Sequence, residues 1–328
     1  MEFLPADLLQ AVNATPRRWL VTGAAGFIGS NLVECLLNAN QDVVGLDNFS
    51  TGKRPNLAEV AADIELHEGS VCDEAALARA LAGVELVFHQ AAIASVPRSL
   101  VDPLENHDTN ATATLKLLIQ AKKAGVRRVM YAASSAAYGD APIQPKIETM
   151  QTAPMSPYAV SKLAGEYYCQ VFASAYGIEA VALRYFNVFG PRQDPHSEYS
   201  AVIPLFITAA IARKGVTIFG DGTQSRDFCH IDNVVRANLL GAAAPRASGQ
   251  VFNIACGSAV TLNEVVRELE NICGWEVPIK YAPRRVGDVM HSMADISAAR
   301  ERLAYAASVS FADGLKQTVA WYREHPPA

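Results

Sequence analysis

The sequence predicts an α/β protein, built on a doubly wound parallel sheet and completed by a smaller C-terminal α/β domain. Three observations predict this class. From Trp19 onward, short apolar runs alternate with longer helical patterns, as they do in βαβ units. A glycine-rich turn follows the first apolar run, and an acidic residue ends the second. After Gly190 the elements become shorter and prolines interrupt them.

The first half of the chain carries this alternation in order. The runs RWLVT, DVVGLD, VELVFHQAA and VRRVMYAASS are short and apolar enough to be buried strands, and FIGSNLVECLLNAN and TATLKLLIQAKKAG have helical periodicity. A further helix is predicted from about Pro157 to Tyr176, where Gly177 ends it, and IEAVALRYFNVFG follows as another buried strand. We place a domain boundary near residue 190, with no repeat or long linker, and expect a cleft between the two domains.

Length, composition and charge exclude several classes of protein. The chain has 328 residues, 50% of them hydrophobic, which is enough for a sizeable core. Its net charge of -5 argues against nonspecific binding to nucleic acid or to membrane surfaces. Glu2 and Asp7 precede any basic residue, Pro5 breaks the first apolar stretch, and no apolar run approaches the roughly 20 residues that span a bilayer. We therefore expect a cytoplasmic protein that binds small molecules.

The cysteines do not form a recognisable framework. They show neither a C-x-x-C pair nor histidines at metal-ligand spacing. We interpret all six as reduced core residues and expect no metal site: Cys35, Cys72, Cys169, Cys229, Cys256 and Cys273.

The turn after the first predicted strand is typical of a dinucleotide site. In VTGAAGFIGS, Gly23, Gly26 and Gly29 stand between a strand and a helix, where small residues let a pyrophosphate approach the backbone and the helix N-terminus. Asp47 follows at the end of the next strand, where an acid can accept both hydroxyls of an adenosine ribose.

The charges near this acid bear on the choice between NAD and NADP. Asp47 would repel a 2′-phosphate, which favours NAD. Lys53 and Arg54 stand close by in the sequence and keep NADP open as an alternative. We expect both to be solvent-facing charges.

A tyrosine and a lysine stand four residues apart in SPYAVSK. In a helix, Tyr158 and Lys162 would share one face, a turn apart. A lysine held close to a tyrosine favours the phenolate and lowers its pKa from the usual value of about 10, toward that of a useful base. An exposed helical pair would have the same spacing, so the meaning of this pair depends on the rest of the chain.

The glycine spacing G-x-x-G-x-x-G, YAASSAAYGD and SPYAVSK together resemble the extended short-chain dehydrogenase/reductase family over nearly the whole chain. Within it, GLDNFSTG, SVPRS, LRYFNVFGPRQDP, SRDFCHIDN and GDVMHSMADIS are similar to the UDP-hexose 4-epimerases, in particular the bacterial UDP-N-acetylglucosamine 4-epimerases. The resemblance implies a Rossmann-type NAD-binding domain at 1–190, a mainly UDP-sugar-binding domain at 191–328, and a homodimer.

The resemblance also implies a mechanism. Tyr158 would remove the proton of the sugar 4-hydroxyl while hydride passes to NAD, Lys162 would lower the tyrosine pKa and bind the nicotinamide ribose, and Ser134 would hydrogen-bond the reacting oxygen. Hydride would then return to the opposite face of the 4-keto sugar. The implied cofactor contacts are Gly23, Gly26, Phe27, Ile28, Gly29, Asp47, Asn48, Ser50, Thr51, Gly52, Ser70, Val71, Ala91, Ala92, Asn110, Tyr158, Lys162 and Tyr185.

For the UDP-sugar, the resemblance implies diphosphate contacts from Asn187, Arg226 and Arg285, with Phe219 near the uracil. A small residue at Ser292 would admit a 2-acetamido group, where a tyrosine would restrict the site to plain hexoses. The complete set of implied substrate contacts is Ser134, Ser135, Asn187, Ala201, Val202, Thr217, Phe219, Arg226, Arg285, Asp288 and Ser292.

The chain departs from the family pattern at a few positions. Ser70 stands where an adenine-binding aspartate is usual, and Ala136 and Ala137 stand where close relatives often have hydroxyls. No acid follows Ser134, which argues against dehydratase and decarboxylase activity. A UDP-glucuronate or UDP-N-acetylglucosaminuronate 4-epimerase remains an alternative, with Arg98 as the carboxylate contact, and so does a noncatalytic NAD-binding sensor or scaffold.

Overall fold

The protein is described here from a computed structural model, which covers residues 12, 15–195, 201–284 and 289–326. In chain order the described strands are β1 (Arg18–Thr22), β2 (Asp42–Asp47), β3 (Glu65–Glu68), β4 (Leu86–His89), β5 (Arg128–Ser134), β6 (Glu179–Tyr185), β7 (Val188–Phe189), β8 (Val216–Phe219), β9 (Ser225–Arg226), β10 (Cys229–His230), β11 (Val251–Ile254), β12 (Val260–Thr261), β13 (Ile279–Ala282) and β14 (His291–Ser292).

Helices connect these strands and follow the last of them, and the three helices that the sequence pattern predicts are all present. The described helices are α1 (Phe27–Asn38), α2 (Glu74–Ala80), α3 (Val96–Val101), α4 (Pro103–His107), α5 (Ala113–Ala124), α6 (Pro157–Ala175), α7 (Val202–Ile211), α8 (Ile231–Ala243), α9 (Leu262–Cys273), α10 (Ser297–Leu303) and α11 (Phe311–Glu324). A π-helical turn, Asp108–Thr112, joins α4 to α5, and a 3₁₀ turn, Ser135–Tyr138, follows β5.

Seven strands form one parallel sheet in the order β11-β6-β5-β4-β1-β2-β3. The order reverses between β1 and β4, and the carboxyl ends of all seven strands meet at one edge, where ligands of doubly wound sheets bind. The predicted α/β class and Rossmann-type sheet are confirmed.

Local chemistry explains where the main helix of the site begins. Ser156 is the N-cap of α6, and its hydroxyl accepts a hydrogen bond from the Ala159 amide at 3.2 Å. Pro157 occupies the first turn, where its missing N–H costs nothing. Tyr158 therefore lies at a fixed point, one residue into the helix.

Both faces of the large sheet are covered. Adjacent residues Leu20 and Val21 of β1 belong to different buried clusters, because successive side chains point to opposite faces. On one of these faces the rings of Trp19 and Phe88 lie 5.0 Å apart. The alternation fixes the register of the central strands, since a slip by one residue would exchange the two faces.

Smaller sheets follow the large one in the chain. β8 pairs with β13, β7 with β10, and β9 lies between β12 and β14. A third buried cluster joins α7, α9 and α11. The chain also returns to the large sheet after residue 190, because β11 pairs with β6 and α8 packs on β5 and β6.

The six cysteines are free, and Cys35, Cys169 and Cys229 are buried while the other three are half-buried. Over the described ranges, the helices are too short or too polar to cross a bilayer.

Candidate active site

The turn between β1 and α1 has a shape that glycine allows and other residues do not. Gly23 has a φ of +67°, in the left-handed region, and a Cβ on it would lie 2.8 Å from the Ala91 nitrogen. A Cβ on Gly29 would lie 2.0 Å from the Gly23 carbonyl oxygen. Gly26, the N-cap of α1, provides no side-chain cap, so the first amides of the helix can bind another acceptor. A pyrophosphate fits this turn.

Asp47, at the end of β2, is buried with its carboxylate against the same turn. Its Oδ2 accepts a hydrogen bond from the Ala25 amide at 2.8 Å, and its Oδ1 accepts one from the Phe49 amide at 2.7 Å. Each carboxylate oxygen can accept a further hydrogen bond, so capacity remains for ribose hydroxyls.

The two nearby cations have carboxylate partners. Lys53 Nζ lies 2.9 Å from Asp194, and Arg54 Nη2 lies 2.6 Å from Glu68. Arg54 also lies over the Phe49 ring, 4.0 Å from its centroid. These partners already balance both charges, which weighs against a 2′-phosphate at this place.

Other predicted cofactor contacts lie along the same sheet edge. The Ala91 amide donates to Thr22 Oγ1 at 3.2 Å, directly after β4. After β3, Ser70 Oγ accepts the Cys72 amide at 3.1 Å. The rest of this group follows β2, β3 and β4 or begins α1: Phe27, Ile28, Asn48, Ser50, Thr51, Gly52, Val71 and Ala92.

Ser134 and Tyr158 come together beside Lys162. Ser134 ends β5 and is half-buried, and its Oγ accepts the Ala136 amide at 3.1 Å. Tyr158 is half-buried and Lys162 is buried, both on α6. Lys162 Nζ donates to the Ala132 carbonyl oxygen at 2.8 Å. The lysine is thereby anchored to the strand that carries the serine.

The predicted lowering of the tyrosine pKa is wrong for the protein alone. Burial raises the pKa of the Tyr158 phenol, and the Ser134 side chain opposes this only in part. Burial also lowers the pKa of Lys162 to about 7. The physical reason is desolvation, which disfavours the charged form of both groups.

A buried amide network supports the catalytic helix, and the sequence indicated only one of its members. Asn110 Oδ1 accepts the Ile93 amide at 2.8 Å, and Asn110 Nδ2 lies 3.1 Å from Ser161 Oγ. Ser161 Oγ donates to Asn106 Oδ1 at 2.9 Å. Because Ser161 precedes Lys162, the network fixes α6 at the site. Asn110, which the resemblance implies as a cofactor contact, thus has protein partners for its side-chain amide.

Tyr185 ends β6, and its register partner on β5 is Ser134. Asn238 Nδ2 donates to the Tyr185 hydroxyl at 2.8 Å, and Gln90 lies 3.3 Å from the same oxygen. Burial raises the pKa of Tyr185 to about 12. Gln90 and Asn238 were not predicted, because neither stands near Tyr185 in the sequence.

Arg226 and Ser292 are neighbours on the small sheet. β9 and β14 run parallel, and their register pairs these two residues. Arg226 Nη1 donates to the carbonyl oxygens of Ser225 at 2.9 Å and Met290 at 3.2 Å. Ser292 is half-buried.

The other predicted substrate contacts are spread around this sheet. Asn187 is exposed just after β6, with a φ of +26°. Ala201 and Val202 begin α7, whose N-cap provides no side-chain hydrogen bond. Thr217 and Phe219 lie on β8, and Ser135 lies in the turn after β5. Arg285 and Asp288 lie outside the described residues.

Two arginines near these residues, Arg184 and Arg98, are ion-paired. Arg184 is buried against Glu166, with Nη2 to Oε1 at 2.6 Å, so it is a structural residue. Arg98, on α3, donates to both carboxylate oxygens of Glu105 through Nη2, at 2.7 and 2.8 Å. Of the two departures after Ser134, Ala137 is buried and Ala136 is half-buried.

Comparison with known proteins agrees with this geometry. The model of the NAD dependent epimerase/dehydratase family matches residues 19–255. A UDP-glucose 4-epimerase of Mycolicibacterium smegmatis is 39% identical over 311 residues, which cover 93% of this chain and 98% of that protein. The chain therefore belongs to this family, and its cofactor is NAD.

Comparison with solved structures narrows the type of enzyme within this family. The UDP-N-acetylglucosamine 4-epimerase of Methanobrevibacter ruminantium, in complex with UDP-N-acetylmuramic acid, is 38% identical with a TM-score of 0.90, over 95% of this chain and 99% of that one. The UDP-glucose 4-epimerase of Thermotoga maritima, with UDP-glucose, is 38% identical with a TM-score of 0.89, over 94% and 99%. The chain is an NAD-dependent UDP-sugar 4-epimerase of the extended short-chain dehydrogenase/reductase type.

Proposed function

We propose that the enzyme interconverts UDP-N-acetylglucosamine and UDP-N-acetylgalactosamine, and that it acts less efficiently on UDP-glucose and UDP-galactose. The observation that carries this proposal is the small, half-buried Ser292, paired with Arg226 on the short sheet. If Arg226 binds the diphosphate, Ser292 borders the adjoining sugar. A side chain this small leaves volume for a 2-acetamido group, and we call this position the sugar gate.

Tyr158 serves as the base for the sugar 4-hydroxyl. Ser134 lies beside it at the end of β5 and donates a hydrogen bond to the reacting oxygen. When the phenol loses its proton, the new negative charge favours the ammonium form of Lys162. A pKa of about 7 lets this lysine change charge near neutral pH.

NAD would be held by the glycine-rich turn, Asp47 and the residues along the sheet edge. The bound cofactor would supply a reversible hydride acceptor for carbon 4 of the sugar. Tyr185 and Lys162 would border the nicotinamide end. The remaining proposed contacts are those named above after β2, β3 and β4.

The UDP would be held by Asn187, Arg226 and the first amides of α7, with Phe219 against the uracil. Thr217 and Ser135 complete the described part of this set, and Arg285 and Asp288 are proposed from the sequence alone. A firm hold on the diphosphate with few contacts to the sugar would let the keto sugar turn over.

The uronate alternative is less well supported. It requires a cation for the extra carboxylate, and Arg98 already binds Glu105 through two nitrogen atoms. The noncatalytic alternative requires that the triad be nonfunctional, whereas Ser134, Tyr158 and Lys162 are all present and adjacent to the sheet edge.

We also propose that the enzyme is a homodimer in the cytoplasm. Val160, Tyr167 and Val171 form an apolar stripe along α6 and are each about half exposed, at 49%, 51% and 49%. A second copy of α6 would cover this stripe. The six free cysteines agree with a reducing compartment. Light scattering of the purified protein, at about twice the mass of 35.2 kDa, would support the dimer.

Substitution of the sugar gate tests the substrate proposal. Ser292→Tyr should lower kcat/KM for the acetylated pair roughly tenfold or more, because the ring occupies the volume of the acetamido group. The plain pair should change by less than about threefold. Ser258→Tyr, at an exposed position just before β12, is the matched control and should change kcat/KM little for both pairs. An equal loss on both pairs for Ser292→Tyr would contradict the gate.

A further inference from the structure

The edge of β14 opposite β9 is closed by a side chain instead of a strand. On the β9 side, the Ser292 carbonyl oxygen accepts the Asp227 amide at 2.8 Å. On the other side, the Gln144 side-chain amide donates to the His291 carbonyl oxygen at 2.6 Å and accepts from the Met293 amide at 3.0 Å. These are the two backbone groups that flank Ser292, and they form the pair that a neighbouring strand would normally bind.

The fixed backbone determines where the Ser292 side chain points. In a strand, side chains stand perpendicular to the plane of the hydrogen bonds. With hydrogen bonds on both edges, residues 291–293 have little freedom to rotate about the strand axis. We call these two hydrogen bonds the Gln144 clamp.

The segment that carries Gln144 is itself anchored in the core. Lys146 donates its amide to the Met293 carbonyl oxygen and accepts the Asp295 amide, both at 2.8 Å. Asn253 Nδ2 donates to the Lys146 carbonyl oxygen at 2.9 Å, and Tyr138 donates to Asn253 Oδ1 at 2.7 Å. Gln144 is therefore presented from a firm support.

This support also connects to the catalytic strand. Tyr138 ends the 3₁₀ turn that begins directly after Ser134, and Gln144 follows in the same connection between β5 and α6. One continuous segment thus runs from the serine beside the reacting oxygen to the backbone of the sugar gate.

We propose that Gln144 is a positioning residue for substrate specificity: through His291 and Met293 it fixes Ser292 as the wall opposite the substituent on sugar carbon 2. The proposal rests on the role of Ser292 stated above. Gln144 binds the backbone on either side of the gate, so its removal should alter which sugar fits more than how fast the bound sugar reacts.

Gln144→Met tests the clamp, because methionine has a similar length and lacks both hydrogen-bonding groups. The variant should lower kcat/KM for the acetylated pair roughly five- to tenfold, through KM, with less than about a twofold change for the plain pair. Gln120→Met is the matched control, since the Gln120 amide binds Glu74 on the outside of the sheet. It should leave both substrates unchanged.

Gln144→Glu gives a second test, because it makes substrate specificity depend on pH in a way that a purely structural role of Gln144 would not. At pH 8 its carboxylate can accept from Met293 and repels the His291 carbonyl oxygen. Near pH 5 a carboxylic acid forms in part and can donate again. The readout is the ratio of kcat/KM for the acetylated pair to kcat/KM for the plain pair, normalised to the wild-type ratio at the same pH. For Gln144→Glu this normalised ratio should rise toward the wild-type value as the pH falls.

Hydrogen exchange reports on the clamp directly. In Gln144→Met the amides of residues 291–293 should exchange faster than in wild type, while bound NAD is retained. Unchanged exchange, or an equal loss on both substrate pairs, would overturn the proposal.

Ser292→Tyr separates this inference from the proposed function. If that variant lowers the ratio sharply and Gln144→Met does not, the role of Gln144 alone is wrong. If Ser292→Tyr leaves the ratio unchanged, the sugar gate itself is wrong and the role of Gln144 in specificity falls with it.

Discussion

The proposed cofactor side and the proposed sugar side of the active site are supported in different ways. The cofactor side is the edge of a seven-stranded sheet, where Gly23, Asp47 and Lys162 lie on or directly beside buried strands. The sugar side is made of two-residue strands such as β9 and β14, whose position depends on side chains from distant segments. The first is rigid by burial, and the second is fixed by a few hydrogen bonds. Because the sugar side depends on fewer contacts, we expect substrate specificity to change with fewer substitutions than cofactor specificity.

The largest effect should come from the base. Tyr158→Phe removes one hydroxyl and should lower kcat by about a thousandfold or more, at the level expected for loss of a general base with its activating partners. Fold and NAD content should be retained, because the ring remains in place. Tyr167→Phe, half exposed on the same helix, is the control and should have wild-type activity. A Tyr158→Phe enzyme with near wild-type turnover would remove Tyr158 from the mechanism.

The next effect tests the rigidity of the cofactor side. Gly29→Ala should abolish retention of NAD during purification, since the added methyl would lie 2.0 Å from a backbone oxygen that cannot move freely. Gly125→Ala is the control: that glycine has a φ of +77° with nothing within 4 Å. It should lose only about 1 kcal/mol of stability and keep its NAD. Measurement of released nucleotide per protein after denaturation distinguishes the two. Full NAD content in Gly29→Ala would mean that the turn is more adaptable than its geometry indicates.

The smallest predicted effect is a dependence of folding stability on pH, which arises from a buried histidine on the cofactor side. Buried His89 lies between Thr22 Oγ1 at 2.7 Å and Thr114 Oγ1 at 3.0 Å, and burial lowers its pKa from 6.5 to about 3. The folded protein therefore holds this ring neutral, while the unfolded chain takes up a proton below pH 6.5. The contribution of the neutral His89 ring to the free energy of unfolding is fully present above pH 6.5. It is lost as the pH falls toward 3, and the loss is about 2 kcal/mol at pH 5.

Replacement of this histidine should remove that loss. The free energy of unfolding of His89→Gln, measured in urea, should fall less between pH 7 and pH 5 than that of wild type, by about 2 kcal/mol. His107→Gln, at an exposed position on α4, is the control and should keep the wild-type slope. Identical slopes for all three proteins would show that His89 does not carry this dependence.

The contrast between the two sides also explains what the sequence could predict. Gly29 and Asp47 were identified because their roles depend on local order along the chain. Gln90, Asn106, Ser161 and Gln144 were not, because the partners described above lie between 51 and 149 residues away. Such contacts exist only once the chain has folded, and no spacing in the sequence signals them.

The error over the Tyr158 pKa has a related cause. The spacing of Tyr158 and Lys162 was right, since both lie on one helix. The direction of the pKa shift depends on burial, which a motif does not give, and desolvation raises the pKa of Tyr158 and lowers that of Lys162. The sequence thus predicted that Tyr158 and Lys162 lie on one helix. It did not predict the charges that these two groups hold in the protein without ligands.

If the proposed function is right, hydride leaves and returns to the same carbon within one active site, on an acetylated sugar. The most direct test is to incubate the purified enzyme, without added nucleotide, with UDP-N-acetylglucosamine that carries deuterium at sugar carbon 4. We expect the product to be UDP-N-acetylgalactosamine with the deuterium retained at carbon 4. Loss of the label to solvent, or no conversion of the acetylated sugar by enzyme that contains NAD, would contradict it.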